Sequence, residues 1–360
     1  MIILEPCEYM INKKSLSSQN RNYTPIAKRN KLYNKVKFKH ILFYICTLIP
    51  LMASAQGGEH AFNFLRLPYS SHAAALGGNN ISLIEDDLTL AMHNPALLAN
   101  VSDKTLNIAY MSYMGDCNVG GAAFNKLFGN RSSAAVFARF VDYGKFDGYT
   151  EDNIYTGTFR AKDIDLTFTY SYLLGERWSG GVSAKIIYSI YESMYSLGLG
   201  VDLGVNYFNA ERDLSLSIAF KNLGGQVKAF EEEYESMPMD FQVGITKGFN
   251  HAPIRLSALL YNLHRWKKDD FYNADGSTDN FGELLLKHFI IGADILLGNN
   301  FYLSLGYNYR TSRELSTAKN TLDGFSIGAG LNIYKVKFNA SYGKLHTSGH
   351  SLLFNLSYSL

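Results

Sequence analysis

The stretch YSLGLGVDLGVNYF (195–208) alternates between two kinds of residue along its whole length. Leucine, valine and tyrosine occupy one set of alternate positions, from Tyr195 to Tyr207, while serine, glycine, aspartate and asparagine occupy the other. Successive strand residues point to opposite faces, so the stretch predicts one long strand with an apolar and a polar face. An α-helix would scatter both sets around its circumference.

The same alternation recurs in other segments, which are 163–174, 213–223, 324–334 and 351–360. Strands of this length exceed the roughly 5–6 residues that are usual in soluble sheets. A closed barrel also leaves no unpaired strand edge, which a bilayer requires. We therefore predict an all-β fold, a closed antiparallel transmembrane β-barrel of about 14 strands. The sequence is also compatible with a barrel of twelve or sixteen strands, and a soluble β-sandwich is the alternative fold.

The predicted strands are separated by connections of very unequal length. The long ones are 145–160, 224–236, 265–284 and 312–321, and each follows an odd-numbered strand. Outer-membrane barrels have long outer loops and short periplasmic turns. We therefore expect these loops at the cell surface and both chain termini in the periplasm.

The first 55 residues predict a signal peptide with an extended basic leader. They hold nine of the 34 basic residues and two of the 32 acidic ones, which leaves the rest of the chain net negative. Lysines precede the apolar run 41–52, and Ala53-Ser54-Ala55 forms a cleavage site. This predicts export to the outer membrane of a Gram-negative bacterium, and the charge gives no reason to expect nucleic-acid binding.

Residues 56–103 do not alternate, and they predict a separate segment before the barrel of 104–360. Asp86 and Asp87 are suited to the start of a short helix that Asn94-Pro95 would end. The inward strand positions are rich in Gly, Ser and Thr, whose side chains are too small to fill a lumen of this size. We therefore expect residues 62–100 to form a hatch folded into the barrel, with a periplasmic tail as the alternative.

Two motifs in this segment resemble a known family. FNFLRLPYSSHAAALGGNNISLIEDD (62–87) and HNPALL (93–98) resemble the opening of the PorV/PorQ family of type IX secretion systems. That family is similar in fold to FadL-like outer-membrane transporters, which share the hatch motif Asn94, Pro95 and Ala96. Two positions depart from the pattern: His72 replaces an expected Arg, and Leu360 stands where many barrels end in Phe.

The resemblance implies a non-enzymatic role in an attachment complex at the outer membrane. Its implied partners are a PorZ-like surface protein, a PorV-like barrel and a PorU-like sortase, with secreted cargo joined to anionic lipopolysaccharide. A FadL-like transporter of hydrophobic small molecules is the second reading, which an apolar lumen pocket would favour. An outer-membrane enzyme is the third, and it would need a convergent acid, base or nucleophile set.

Candidate chemical motifs fit structural roles better than catalytic ones. The G-x-S-x-G match at 324–328 lies within an alternating strand, whereas a nucleophile elbow needs a strand, a sharp turn and a helix. His346 and His350 flank a predicted hairpin, and the acidic residues of 265–284 do not match a calcium loop. We predict no catalytic residue, no cofactor and no metal site.

The loop 265–284 combines aromatic residues with arginine. Arg265, Trp266, Phe271 and Tyr272 are its candidate partner-binding residues, because Trp, Tyr and Arg are enriched at protein interfaces. The alternative is that Trp266 belongs to the outer aromatic girdle of the barrel.

Overall fold

The structure is a computed structural model that describes residues 60–150, 152–249, 251–271, 273–274, 276–298, 300–315, 323–346 and 349–360. The predicted signal peptide lies outside these residues, and so does Tyr272.

The described residues form fourteen strands that close into one antiparallel barrel. Each strand pairs with its neighbours in the chain, and β14 pairs with β1 from Thr105↔Ser359 to Ser112↔Leu352. This confirms the predicted fold and decides among the strand numbers that the sequence left open. The strands are β1 (Thr105–Met114), β2 (Cys117–Phe128), β3 (Ser132–Tyr149), β4 (Tyr155–Leu173), β5 (Trp178–Tyr191), β6 (Met194–Asn209), β7 (Leu214–Lys228), β8 (Asp240–Gly248), β9 (Ile254–Leu260), β10 (Phe289–Leu297), β11 (Phe301–Asn308), β12 (Phe325–Ile333), β13 (Val336–His346) and β14 (Gly349–Ser359).

The wall of the barrel has an apolar outside and a polar inside. In β6, Leu199 and Val205 are exposed on the outer face, whereas Asp202 and Asn206 are buried on the inner face. The two faces that the sequence predicts for this strand are confirmed. An apolar outer wall is what the hydrocarbon core of a bilayer requires.

The helices are short. The α-helices are α1 (Ser71–Ala75), α2 (Phe281–Leu286) and α3 (Tyr309–Leu315), and the 3-10 helices are Asn63–Arg66, Leu88–Met92, Pro95–Asn100 and Lys268–Asp270. None of the helices in the described part of the chain is long and apolar enough to cross a membrane.

Residues 60–101 form a plug inside the ring of strands. The 3-10 helix Leu88–Met92 packs on β1 and β2, Pro95–Asn100 packs on β3 to β6, and α1 packs on β11 to β14. Between them, Ile81 packs with Ala219 of β7, Leu259 of β9 and Ile290 of β10. The plug therefore contacts the inner wall around its circumference, which confirms the inward-folded hatch and not the periplasmic tail.

The segment 145–160 is not the loop that the sequence predicts. β3 and β4 continue past the rest of the wall as a two-stranded ribbon, paired from Lys145↔Arg160 to Tyr149↔Tyr155. The rings of Phe146 and Phe159 stack across the ribbon at 5.5 Å. Such cross-strand aromatic pairs stabilise a sheet, so the chain stays extended and the connection shrinks to 150–154.

The other long connections follow odd-numbered strands, as predicted. They are 229–239 after β7, 261–288 after β9 and 309–324 after β11. They therefore lie at the same end of the barrel as the β3–β4 ribbon. That this end faces the cell surface stays a prediction.

Candidate functional site: the plug and the lumen it leaves

The hatch motif docks on β4 and β5 through hydrogen bonds. The Asn94 side chain accepts from the Ala96 amide at 3.0 Å, which caps the 3-10 helix, and donates to the Ile81 carbonyl at 2.8 Å. The Ala96 carbonyl accepts from the hydroxyls of Ser179 at 3.0 Å and Ser171 at 3.3 Å. Pro95 therefore begins a second short helix, whereas the sequence pattern predicts only that it ends the first.

Two glycines of the inner wall make room for this motif. Gly181 of β5 lies against the Pro95 backbone, and Gly204 of β6 lies against the Asn94 side chain. A Cβ atom at either position would overlap the plug. These inner-face glycines allow the plug to approach the wall closely. From the alternation alone, they would be read only as small residues facing the lumen.

A buried ionic network joins α1 to β9 and β10. The imidazole of His72 contacts Glu85 at 2.9 Å through Nδ1 and Asp294 at 2.9 Å through Nε2. The Arg255 guanidinium contacts the same carboxylates, Glu85 at 2.6 Å and Asp294 at 2.7 Å. Ser304 donates a further hydrogen bond to Asp294 at 2.6 Å. Two carboxylates thus face two basic side chains, and every charge of the network has a partner.

The network keeps His72 protonated. Burial disfavours the imidazolium, but the carboxylates of Glu85 and Asp294 outweigh it and raise the pKa of His72 to about 9. Burial likewise opposes ionisation of Glu85, but the charges of His72 and Arg255 lower its pKa to about 2. The Tyr302 ring stacks on the imidazole at 4.0 Å and completes its burial.

Further ion pairs line the inner wall, in addition to the small residues that the sequence pattern predicts there. Arg139 pairs with Asp165 at 2.8 Å, and Lys185 pairs with Asp202 at 2.7 Å. All four residues occupy inward positions of the strand alternation. The sequence signal that could have revealed these ion pairs is a charged residue at a position that the strand alternation assigns to the inner face.

The plug leaves a cavity of about 470 Å³ beside the 3-10 helix Asn63–Arg66. Its wall carries charged and amide side chains, among them Arg66, Lys221, Asp240, Gln242 and Arg310, together with fewer apolar ones such as Leu65, Pro68 and Ile290. This volume is in the range of small-ligand pockets, but the lining is more polar than is usual for them.

Comparison with known proteins identifies the fold. No protein-family model matches the sequence, and comparison with the curated proteins finds no relative. Among solved structures, CymD, described as a monoaromatic hydrocarbon channel, is similar with a TM-score of 0.53 at 14% identity, covering 83% of this chain and 98% of that one. The toluene transporters TbuX of Ralstonia pickettii and TodX of Pseudomonas putida both give a TM-score of 0.51, at 14% and 13% identity. They cover 82% and 81% of this chain, and 98% and 97% of their own.

This chain has a FadL-like barrel fold. The resemblance implied that fold, and the likeness to proteins described as a toluene transporter and a monoaromatic hydrocarbon channel bears it out. At such low identity the likeness establishes architecture and not what the barrel carries or binds.

The candidate partner-binding residues lie in different environments. Trp266 is exposed, its indole donates to the Leu263 carbonyl at 2.7 Å, and its ring lies 4.3 Å from that of His288. Arg265 is half-buried beside it. Phe271 is buried under the Arg310 guanidinium, 5.0 Å away, so it supports the loop from within.

The motifs weighed for chemistry have structural partners. The Ser326 hydroxyl donates to the Ala75 carbonyl and accepts from the Gly77 amide, both at 2.9 Å, so it ties α1 to β12. His346 pairs with Gly349 across the β13–β14 hairpin. Asp279, one of the acidic residues of 265–284, is buried and pairs with Lys287 at 2.6 Å. Within the described ranges, no group of three His, Cys, Asp or Glu residues could hold a metal ion.

Proposed function

We propose that this chain is a non-enzymatic outer-membrane barrel of a type IX secretion attachment complex. Its role is to anchor a PorZ-like surface protein near the PorU-like sortase and beside a PorV-like barrel. The residues that carry the resemblance, 62–87 and 93–98, are those that build the plug. The observation that carries the proposal is that the plug is tied to the wall by a buried ionic network, inside a lumen lined by polar groups.

An anchoring role needs a rigid barrel with accessible loops, and it makes no demand on the lumen. The ion pairs of His72 and Arg255 hold the plug to β9 and β10, because breaking a buried pair leaves an uncompensated charge. The candidate contact points lie on the long connections, with the exposed Trp266 and the half-buried Arg265 as the leading pair. Interfaces often depend on such aromatic and arginine anchors.

The direct test is gentle detergent extraction of the tagged chain from its native outer membrane, followed by mass spectrometry of what is recovered with it. We expect sortase-like, PorV-like and PorZ-like proteins together with lipopolysaccharide. A correctly folded barrel that is recovered alone contradicts the proposal.

A matched pair of variants tests the loop. The double variant Arg265→Ala/Trp266→Ala should lose the PorZ-like protein. The control is Tyr334→Ala/Lys335→Ala, which removes an exposed aromatic and a basic residue from the opposite end of the barrel. This control should recover the PorZ-like protein fully. Equal recovery of the PorZ-like protein with both variants would exclude Trp266 and Arg265 as anchors. It would not contradict the proposal that the barrel belongs to the complex.

The second candidate is a FadL-like transporter of hydrophobic small molecules. The likeness to TbuX, TodX and CymD favours it over the first candidate, because those proteins are described as transporters or channels for toluene and other monoaromatic hydrocarbons. The lining of the lumen cavity favours the first, since charged side chains stabilise an apolar ligand poorly.

Uptake measurements separate the two candidates. Cells that lack this chain would take up labelled toluene more slowly than complemented cells if the barrel transports it. We expect equal rates. A faster rate in complemented cells, lost when the plug is cross-linked to the wall, would establish the second candidate.

A further inference from the structure

Two cations of the lumen cavity form no direct ion pair with the described residues. Arg66 lies on the plug and Lys221 lies on β7, and both line the cavity. No carboxylate within the described part of the chain forms an ion pair with either of them, whereas Lys185, Lys287, Lys337 and Lys344 each have one. Arg66 is partly exposed, and desolvation followed by the like charges of Arg310 and Arg265 lowers its pKa to about 10, which leaves it charged at neutral pH.

The acidic groups of the cavity already have partners. Both oxygens of Asp240 accept hydrogen bonds at 2.6 Å, one from the Gln242 amide and one from the Asn262 backbone. Glu314 pairs with Arg310 at 2.7 Å. The described lining thus holds three basic and two acidic side chains, and the charge in excess is positive.

Histidine does not change this balance. The backbone amide of Ser70 donates to Nε2 of His93, and Nδ1 lies 2.6 Å from the Asn79 side-chain oxygen. An imidazole that accepts at one nitrogen is neutral, and burial lowers the pKa of His93 well below its ordinary value.

We infer that the lumen cavity binds a small organic anion, whose carboxylate or phosphate groups are held by Arg66 and Lys221. Charge-assisted hydrogen bonds are stronger than neutral ones, and a guanidinium matches carboxylate and phosphate geometry. The volume of about 470 Å³ admits a metabolite-sized ligand and excludes a long acyl chain in extended form. Leu65 and Ile290 offer contact to a short apolar part. The site does not depend on the secretion role proposed above.

Calorimetric titration of the complete barrel in detergent tests the inference. The probes are succinate, inorganic phosphate and, as the uncharged match to succinate, succinamide. We expect saturable binding of succinate or phosphate that weakens with added salt, and no binding of succinamide. The relative affinities of the two anions show which group the site prefers. If neither anion binds, or succinamide binds equally well, the inference is overturned.

Two independent variants localise the site. Arg66→Gln and Lys221→Gln should each lower the affinity for the preferred anion by about tenfold, which is the loss expected for one charge-assisted contact. Lys126→Gln removes a lysine from the outer wall and should bind like the unmodified protein. Retention of heat-dependent gel mobility shows that each variant is folded. Full affinity in both cavity variants would place the anion elsewhere and overturn the assignment.

Discussion

At the scale of single residues, His72 makes the ionic contact between the plug and the wall sensitive to pH. The folded protein raises the pKa of this imidazole from 6.5 to about 9, so the folded state binds its proton more tightly than the unfolded chain. The stabilisation is therefore complete below about pH 6.5 and is lost as the pH rises through about 9. The groups that face it are Glu85, Asp294, Arg255 and Tyr302.

We predict that alkaline pH loosens the plug before it unfolds the barrel. Protease cleavage within 60–101 should accelerate as the pH rises past about 9, because neutral His72 leaves two carboxylates facing one guanidinium. His72→Gln keeps hydrogen-bonding groups but carries no proton to lose. The variant should be cleaved faster at neutral pH and show a flatter pH profile. An unchanged profile in the variant would rule out His72 as the titrating group.

Gly204 gives a second prediction at this scale. Gly204→Val would force a side chain into Asn94, so the hatch motif should leave its seat while the strand still pairs. Core overpacking typically costs about 1–3 kcal/mol. Gly120→Val is the control, because a Cβ atom there meets open space. In denaturant titrations, only Gly204→Val should unfold at a lower midpoint concentration than the unmodified protein. Equal midpoints for the two variants would contradict the close packing of Asn94 against Gly204.

At the scale of elements, the β3–β4 ribbon occupies a segment for which the sequence pattern predicts a loop. Gly148 and Gly157 interrupt the alternation of 145–160, and glycines between polar residues predict a loop. The pairing depends on contacts across the ribbon, which a single sequence does not display. Aromatic pairing of Phe146 with Phe159 and of Tyr149 with Tyr155 offsets the weak propensity of the glycines.

We predict that the ribbon unpairs without its aromatic contacts. Two-stranded ribbons are marginally stable in water, so Phe146→Ser/Phe159→Ser should open the segment 145–160 to protease and leave the barrel resistant. Phe146→Leu/Phe159→Leu, which retains apolar contact, should protect most of the ribbon. Cleavage of the serine variant at the unmodified rate would show that the ribbon is held by something other than these rings.

At the scale of the whole molecule, the plug and the wall form one unit. Asp294 and Arg255 belong to the wall, but half of their ionic network comes from the plug through His72 and Glu85. Deleting residues 63–100 removes one basic and one acidic partner together. The remaining Arg255–Asp294 pair stays neutral, so the barrel can close without the plug.

We predict that this deletion opens the lumen. In planar bilayers the deletion variant should conduct ions in large, steady steps, whereas the unmodified barrel should conduct little. It should also unfold at lower denaturant concentration, since the buried apolar contacts of α1 and Pro95–Asn100 are lost. Equal conductance of the two proteins would mean that the plug does not obstruct the lumen.

The sequence by itself determined the strand alternation, the apolar and polar faces, the asymmetry of the connections and a non-alternating segment before the barrel. These are local or periodic properties, and a period of two assigns each side chain to a face. Only the tertiary structure decided which inward residues meet. Arg139 opposes Asp165, and Arg255 opposes Asp294, because register places them across a strand pair. His72 reaches Asp294 across more than two hundred residues of chain, and only barrel closure around the plug creates that contact.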